Sequence, residues 1–313
     1  MPRKVIIDCD PGIDDAIALC MALFDPRLEV LAVTAVAGNV SAEQATRNVQ
    51  AIIEQLDPPR YPRLGAASPA EALAMFDNRQ LFGEDGLGNA GLASSKLARQ
   101  HPAEKLICDE VRAAPGEVTL ICLGPLTNVA AALAREPQLI SMLGRLVIMG
   151  GAVNGIGNVT SAAEYNIYFD PHSARQVFRS PTTKTLIPLD VTTQVTWSLD
   201  LLDQLPPETT RAGNLLRKTL PYLFRSYRRE MGLEGIHLHD AVAMTAVLHP
   251  ELFTTRDLTG DVETAGELTL GATVFDRRGI AHNRGDMEVA LELDATAVGD
   301  CVVRALLDAG RQT

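Results

Sequence analysis

Four carboxylates fall within eight residues near the start of the chain, in Asp8-Cys9-Asp10-Pro11-Gly12-Ile13-Asp14-Asp15. Pro11 and Gly12 predict a strand-to-helix turn, with Asp14 and Asp15 at the helix N-terminus. One or two acidic residues there need no further explanation, because the helix dipole favours them. Four crowded together repel strongly unless a cation neutralises some of them or their pKa values rise. Such a set of hard oxygen donors suits Ca²⁺ or Mg²⁺ rather than zinc.

Further polar residues stand where they could serve chemistry or only local structure. Asn39 and Asn158 each follow a glycine, which fits a turn residue as well as a ligand contact. Glu164 could be a surface charge, but the stretch AEYNIYFDP around it is otherwise rather apolar, which favours a functional role. His239-Asp240 precedes the helical run AVAMTAVL, where Asp240 could cap the helix or bind a metal. His237 competes with His239 as the chemically active histidine; His239 is preferred because it adjoins the acidic residue.

Elements that would position these residues are legible in the hydrophobic pattern. Short β-branched runs at Val5 to Asp8, Val30 to Val36, Val118 to Cys122, Leu146 to Gly150 and Thr185 to Asp190 predict buried strands. Helical patterns lie between them, at Asp14 to Phe24 and at Ser41 to Gln55, the second with Ser41 as its cap. Alternating strands and helices imply an α/β fold on a mostly parallel central sheet flanked by helices. ELTLGATVFDRRG and MEVALELD alternate apolar and polar residues and predict a small antiparallel section, before a final helix from about Ala295 to Leu307. No linker or repeat divides residues 1–313, which read as one domain. In such open sheets ligands bind at the carboxyl ends of the strands. The acidic and polar residues collect there.

Composition narrows the partner. The net charge is −11 with no Lys/Arg-rich run, so nucleic acid lacks its electrostatic footprint, and a neutral small molecule or a cation fits better. Five scattered cysteines without a C-x-x-C pair argue against a disulfide framework and a zinc site, and suit a reducing cytoplasm. The longest apolar run, Ala16 to Phe24, is too short to span a bilayer, and the opening MPRKVIIDCDPG leaves no room for a signal peptide. A cytoplasmic location is therefore expected.

The run DCDPGIDDA is similar to the N-terminal signature of the inosine-uridine nucleoside hydrolases. Four further segments resemble that family in order: AGNVSAEQATRN, LGPLTNVA, MGGAVNGIGNVTSAAEYNIYFDP and HLHDAVA. The resemblance implies hydrolysis of a ribonucleoside to ribose and free base by attack of a calcium-bound water. It implies one Ca²⁺ held by Asp10, Asp15, Asp240 and the main-chain carbonyl of Leu123, with Asp10 as general base. Asp14, Asn39, Asn158, Glu164 and Asn166 would hold the ribose hydroxyls, and His239 would stand beside the leaving base as proton donor. The implied assembly is a homodimer or homotetramer. At the base end the pattern departs: Phe82 stands where a histidine is usual, and of a frequent tyrosine pair only Tyr227 is kept, with Leu223 at the other place.

Physical chemistry agrees with the ribose assignment. Ca²⁺ takes six to eight oxygens, so three aspartates and one carbonyl leave places for water and a cis-diol. An intervening water predicts inversion at C1′, as in glycoside hydrolysis. Two other readings compete. Asp8-x-Asp10 after a first strand also resembles haloacid-dehalogenase-like phosphohydrolases, with Asp8 as nucleophile, though their later lysine and acidic pair cannot be placed. The same scaffold could also serve as a non-catalytic ribose- or nucleoside-binding protein.

Overall fold

Strand β1 (Arg3–Cys9) is buried from Val5 onward, as a strand covered on both faces must be. Its side chains alternate between two cores: Val5, Ile7 and Cys9 join one hydrophobic cluster and Ile6 the other. The computed structural model describes residues 1–69, 78–95, 100–154, 156–278 and 287–313. The expected strand ELTLGATVFDRRG ends at residue 279, outside the described residues.

Among the described residues nine further strands follow: β2 (Leu28–Ala35), β3 (Arg63–Ala66), β4 (His101–Pro102), β5 (Thr119–Cys122), β6 (Arg145–Met149), β7 (Lys184–Ile187), β8 (Phe253–Val262), β9 (Thr273–Asp276) and β10 (Met287–Leu293). They form one sheet in the order β4-β3-β2-β1-β5-β6-β7-β10-β8-β9. Pairing is parallel from β4 through to β10, and antiparallel where β8 joins β10 and β9 joins β8. The mostly parallel sheet with a small antiparallel section is thus as the pattern predicts.

Helices cover both faces. Ile13–Leu23, Ala42–Leu56, Arg211–Ser226, His239–Leu248 and Ala295–Gln312 pack on one. Ala103–Ala113, Thr127–Arg135 and Pro171–Phe178 pack on the other. Ser41 caps Ala42–Leu56 as expected, its hydroxyl accepting from Gln44 N. Strand β8 was not legible because its first half is exposed, so alternation shows only from Leu258 onward. Among the described residues of ELTLGATVFDRRG only Thr273–Asp276 is strand; residues 267–271 before it are turns, and Ala272 makes an isolated bridge to Ala163.

The order in which strands are added reverses at β1, with β2 on one side and β5 on the other, both parallel to it. A crevice opens outside the strand ends at such a point. The turns after β1, β2, β5 and β6 meet there. Phe178, fully buried in the core of the opposite face, reports on this scaffold. Phe178→Ala is expected to cost about 3–5 kcal/mol in urea unfolding. A loss below about 1 kcal/mol would contradict the packing described.

Candidate active site

At the carboxyl ends of the strands lies a cavity of about 190 Å³. Its floor is Asp10, which leaves β1 directly after Cys9. The Asp10 carboxylate is wedged between two backbone turns. A Cβ at Gly38 would lie 2.1 Å from its Oδ2, and one at Gly124 2.5 Å from its Oδ1. Only glycine fits on either side. Asn39 N donates to Asp10 Oδ2 at 2.8 Å, and Asn39 Nδ2 donates to the Asp10 carbonyl at 3.1 Å. Asn39 is therefore both a turn clip and a cavity wall.

Asp14 and Asp15 start helix Ile13–Leu23, and Asp15 Oδ2 accepts from Gly12 N at 2.8 Å. Asp240 does not cap its helix; it lies in the first turn of His239–Leu248. Asp14 takes that place from across the site, its Oδ2 accepting from Asp240 N at 3.1 Å. Asp14 Oδ1 and Asp15 Oδ1 are buried without a hydrogen-bond partner. Burial pushes all four aspartates up, to about 8 for Asp14 and about 7 for Asp15. For Asp10 and Asp240 the same burial, with Asp15 as the next cause, raises the pKa well above the carboxylate range.

The opposite wall comes from the turn after β6. Glu164 is 2 % exposed, which excludes a surface charge. Its carboxylate caps the helix Tyr165–Phe169 through Asn166 N and Ile167 N and also accepts from Gly151 N. Burial raises it to about 7. Asn166 Nδ2 donates to the Leu123 carbonyl at 2.8 Å, and Asn158 Oδ1 accepts from Tyr165 N.

Farther out, Leu81, Phe82, Val159, Tyr227, Met231 and Leu233 make the lining apolar and aromatic. His239 Nδ1 pairs with Thr192 Oγ1 at 2.8 Å, leaving Nε2 for the cavity. His239 is not a group that titrates near neutrality: burial, then His237, lowers its pKa to about 3.

All the sequence-derived site residues except Asp15 line the cavity, and Asp15 lies buried behind it. Leu223 does not; it belongs to the core. Asn78 is a lining residue with no sequence signal, donating to Asn39 Oδ1 at 2.7 Å. Asp8 is fully buried on β1, away from the lining, so it cannot serve as a nucleophile toward a ligand here.

A hard cation fits the chemistry of this donor set. All donors are oxygens, two buried carboxylate oxygens lack partners, and no lysine or arginine is among the described lining residues. As the side chains stand, no three His, Cys, Asp or Glu among the described residues close on a common point. Asp10, Asp14 and Asp15 are each turned to a backbone N–H instead.

The chain belongs to the inosine-uridine preferring nucleoside hydrolase family, whose model matches residues 5–300. It is a ribonucleoside hydrolase, cleaving the N-glycosidic bond. It is 39% identical over 307 residues to the non-specific ribonucleoside hydrolase RihC of Escherichia coli O7:K1, covering 98% of this chain and 99% of that one. To the pyrimidine-specific ribonucleoside hydrolase RihA of Klebsiella pneumoniae it is 37% identical over 308 residues, covering 98% and 99%. A purine-preferring ribonucleoside hydrolase from Gardnerella vaginalis superposes with a TM-score of 0.92 at 30% identity, covering 99% of this chain and 100% of that one.

The raised carboxyls carry a consequence for stability. Asp8, Asp15 and Glu164 stand at about 7 and Asp14 at about 8 when folded, against about 4 in an unfolded chain. Between those limits the folded chain holds more protons, so stability falls as pH rises through the window. In chelator, Tm is expected to drop between about pH 5 and pH 8, and Ca²⁺ to raise it more at the higher pH. A Tm that climbs with pH in chelator would contradict the burial of these groups.

Proposed function

We propose that Asp10 is the general base of ribonucleoside hydrolysis and that the polar wall beside it holds the ribose. The observation that carries this reading is the Asp10 carboxylate, fixed by Gly38, Gly124 and Asn39 at the floor of the cavity. Asp10, Asp15, Asp240 and the Leu123 carbonyl would hold Ca²⁺, which supplies Lewis acidity toward water and neutralises the crowded carboxylates. Asp10 accepts the proton of the attacking water, which approaches C1′ opposite the departing base. Asp14, Asn39, Asn158, Glu164 and Asn166 supply donors and acceptors for neutral hydroxyls. The absence of lysine and arginine among the described lining residues supports an unphosphorylated sugar.

Phe82 and Tyr227, with the apolar side chains near them, offer the base a surface to stack on. His239 is neutral at rest and offers Nε2–H to the charge that builds on the base as the C1′–N bond stretches, with Nδ1 accepting from Thr192 Oγ1. We read the chain as one domain, since one sheet runs through it. A cytoplasmic location is supported by five free, buried cysteines, and no helix among the described residues is long and apolar enough to cross a membrane. A homodimer or homotetramer belongs to the same proposal, supported by the sheet-edge strand β9 with its exposed Val274.

Release of ribose from a ribonucleoside panel tests the ribose site. Removing the 2′-hydroxyl leaves buried polar groups unpaired, so kcat/KM for deoxyuridine is expected to fall about 10⁴-fold below that for uridine. Comparable values for the two would refute the assignment. The two roles beside the scissile bond separate in variants. Asp10→Asn is expected to abolish cleavage of every substrate. His239→Ala is expected to lower kcat on nucleosides by about 10²–10³-fold, the usual loss of one donor to developing charge. On 4-nitrophenyl riboside, whose leaving group departs as a stable anion, it should cost little. Equal losses on both substrates, with calcium content unchanged, would assign His239 to the ribose or the metal instead.

A further inference from the structure

Two polar residues of the motifs have no place at the cavity. Asp8 is fully buried and Asn128 is 3 % exposed. Neither lines the site, yet they meet each other directly beneath it. Asp8 Oδ1 accepts from Thr34 Oγ1 at 2.5 Å and from Asn128 Nδ2 at 2.8 Å. The same Asn128 amide donates to the Ala35 carbonyl at 2.8 Å. Leu123 N donates to the Asp8 carbonyl, also at 2.8 Å.

These bonds join three separate pieces of chain. Asp8 is two residues before Asp10 on β1. Thr34 and Ala35 end β2, just ahead of the turn whose Gly38 and Asn39 clamp Asp10. Asn128 lies in the first turn of helix Thr127–Arg135, five residues after Leu123. A buried carboxylate is a poor way to gain stability, because well-packed apolar groups serve as well or better. It does impose one geometry, since any slip of one strand end leaves a buried polar group unpaired.

We propose that Asp8, Thr34 and Asn128 form a positioning node that sets where Asp10 stands relative to the Leu123 carbonyl. The node touches neither substrate nor reacting atoms, and it acts through hydrogen-bond geometry, not through nucleophilic attack by Asp8. It rests on the reading of Asp10 and Leu123 given above. Misplacing reacting groups by about 1 Å costs on the order of 10²-fold in rate, and that is the scale on which the node should act.

Asp8→Ala, Asp8→Asn, Asn128→Ala and Thr34→Val are compared by kcat and KM for uridine and by amide hydrogen exchange at residues 36–39 and 123–128. Asn128→Ala and Asp8→Ala are expected to lower kcat about 10²-fold, with KM changed less than about threefold. Exchange should quicken at those two turns and stay unchanged in helix Ala42–Leu56. Asp8→Asn keeps the Oδ1 acceptor and is expected to restore kcat to within about tenfold of the parent chain. Thr34→Val removes one of the two bonds at similar volume, and gives the same pattern at smaller amplitude if the alanine variants do not fold. An Asp8→Asn protein as inactive as Asp10→Asn, with both turns unchanged in exchange, would overturn the proposal and give Asp8 a chemical role. So would Asn128→Ala or Thr34→Val leaving both kcat and exchange unaltered. Failure of the catalytic reading shows separately, as Asp10→Asn still releasing ribose, while the exchange comparison still tests the node.

Discussion

Carboxylates withdrawn from water and crowded at one end of a parallel sheet govern the arrangement of this chain. Asp10 comes from the end of β1, Asp14 and Asp15 from the helix after it, and Asp240 from a helix more than two hundred residues later. No lysine or arginine is among the described residues lining the cavity beside them. Relief comes from backbone amides, which accept no proton and cannot wander as a long cationic side chain does. Gly12 N, Asn39 N and Asp240 N each donate to one of these carboxylates. Of the oxygens left over, the one on Asp15 is open to a hard cation and the one on Asp14 to a ligand hydroxyl, on the assignment proposed above.

That arrangement dictates how the helices meet. Ile13–Leu23 and His239–Leu248 both begin at the site, so both direct the positive ends of their dipoles toward the acidic cluster. Asp14 ties the two starts together by accepting from Asp240 N. A side chain that could be read as a plain N-terminal helix residue is thus a bond between distant segments. Asp240 in turn is freed from capping its own helix, and its carboxylate is available to the cluster. The cost of holding such groups uncharged or unpaired is a destabilised folded state, which is usual where a site must be ready for a ligand.

The cavity divides into two chemistries. Its inner part is polar and built on backbone turns whose glycines admit no side chain, as Gly38 and Gly124 do around Asp10. Its outer part is apolar, drawn from the segment around Phe82 and from the end of the long helix that carries Tyr227. The relatives share a name for the ribose half of the reaction and differ in the base: one is non-specific, one pyrimidine-specific and one purine-preferring. On the proposed assignment, a polar ribose end and an apolar base end would account for that spread, because stacking discriminates among bases weakly whereas unpaired hydrogen bonds discriminate strongly.

The grouping of Asn39, Asn158 and Asn166 came from the family resemblance, whereas local pattern by itself determined the alternation of strands and helices, the turn at Pro11-Gly12, the cap at Ser41 and the acidic cluster after the first strand. These are legible because burial on both faces demands continuous apolar runs and because turns demand particular residue types. Strand β8 escaped, since half of it is exposed, and so did β3, with only one of its four residues buried, and β4, which is too short to show a period. Only the tertiary structure decided which carboxylate bonds to which amide. It set Asp14 across the cavity as the cap of another helix, buried Asp8 beneath the floor with Thr34 and Asn128, brought Asn78 to Asn39, and lowered the pKa of His239. The physical reason is common to all of them. Each depends on contacts between residues far apart in the chain and on how much water is excluded around them, and neither quantity is carried by the residues taken in order.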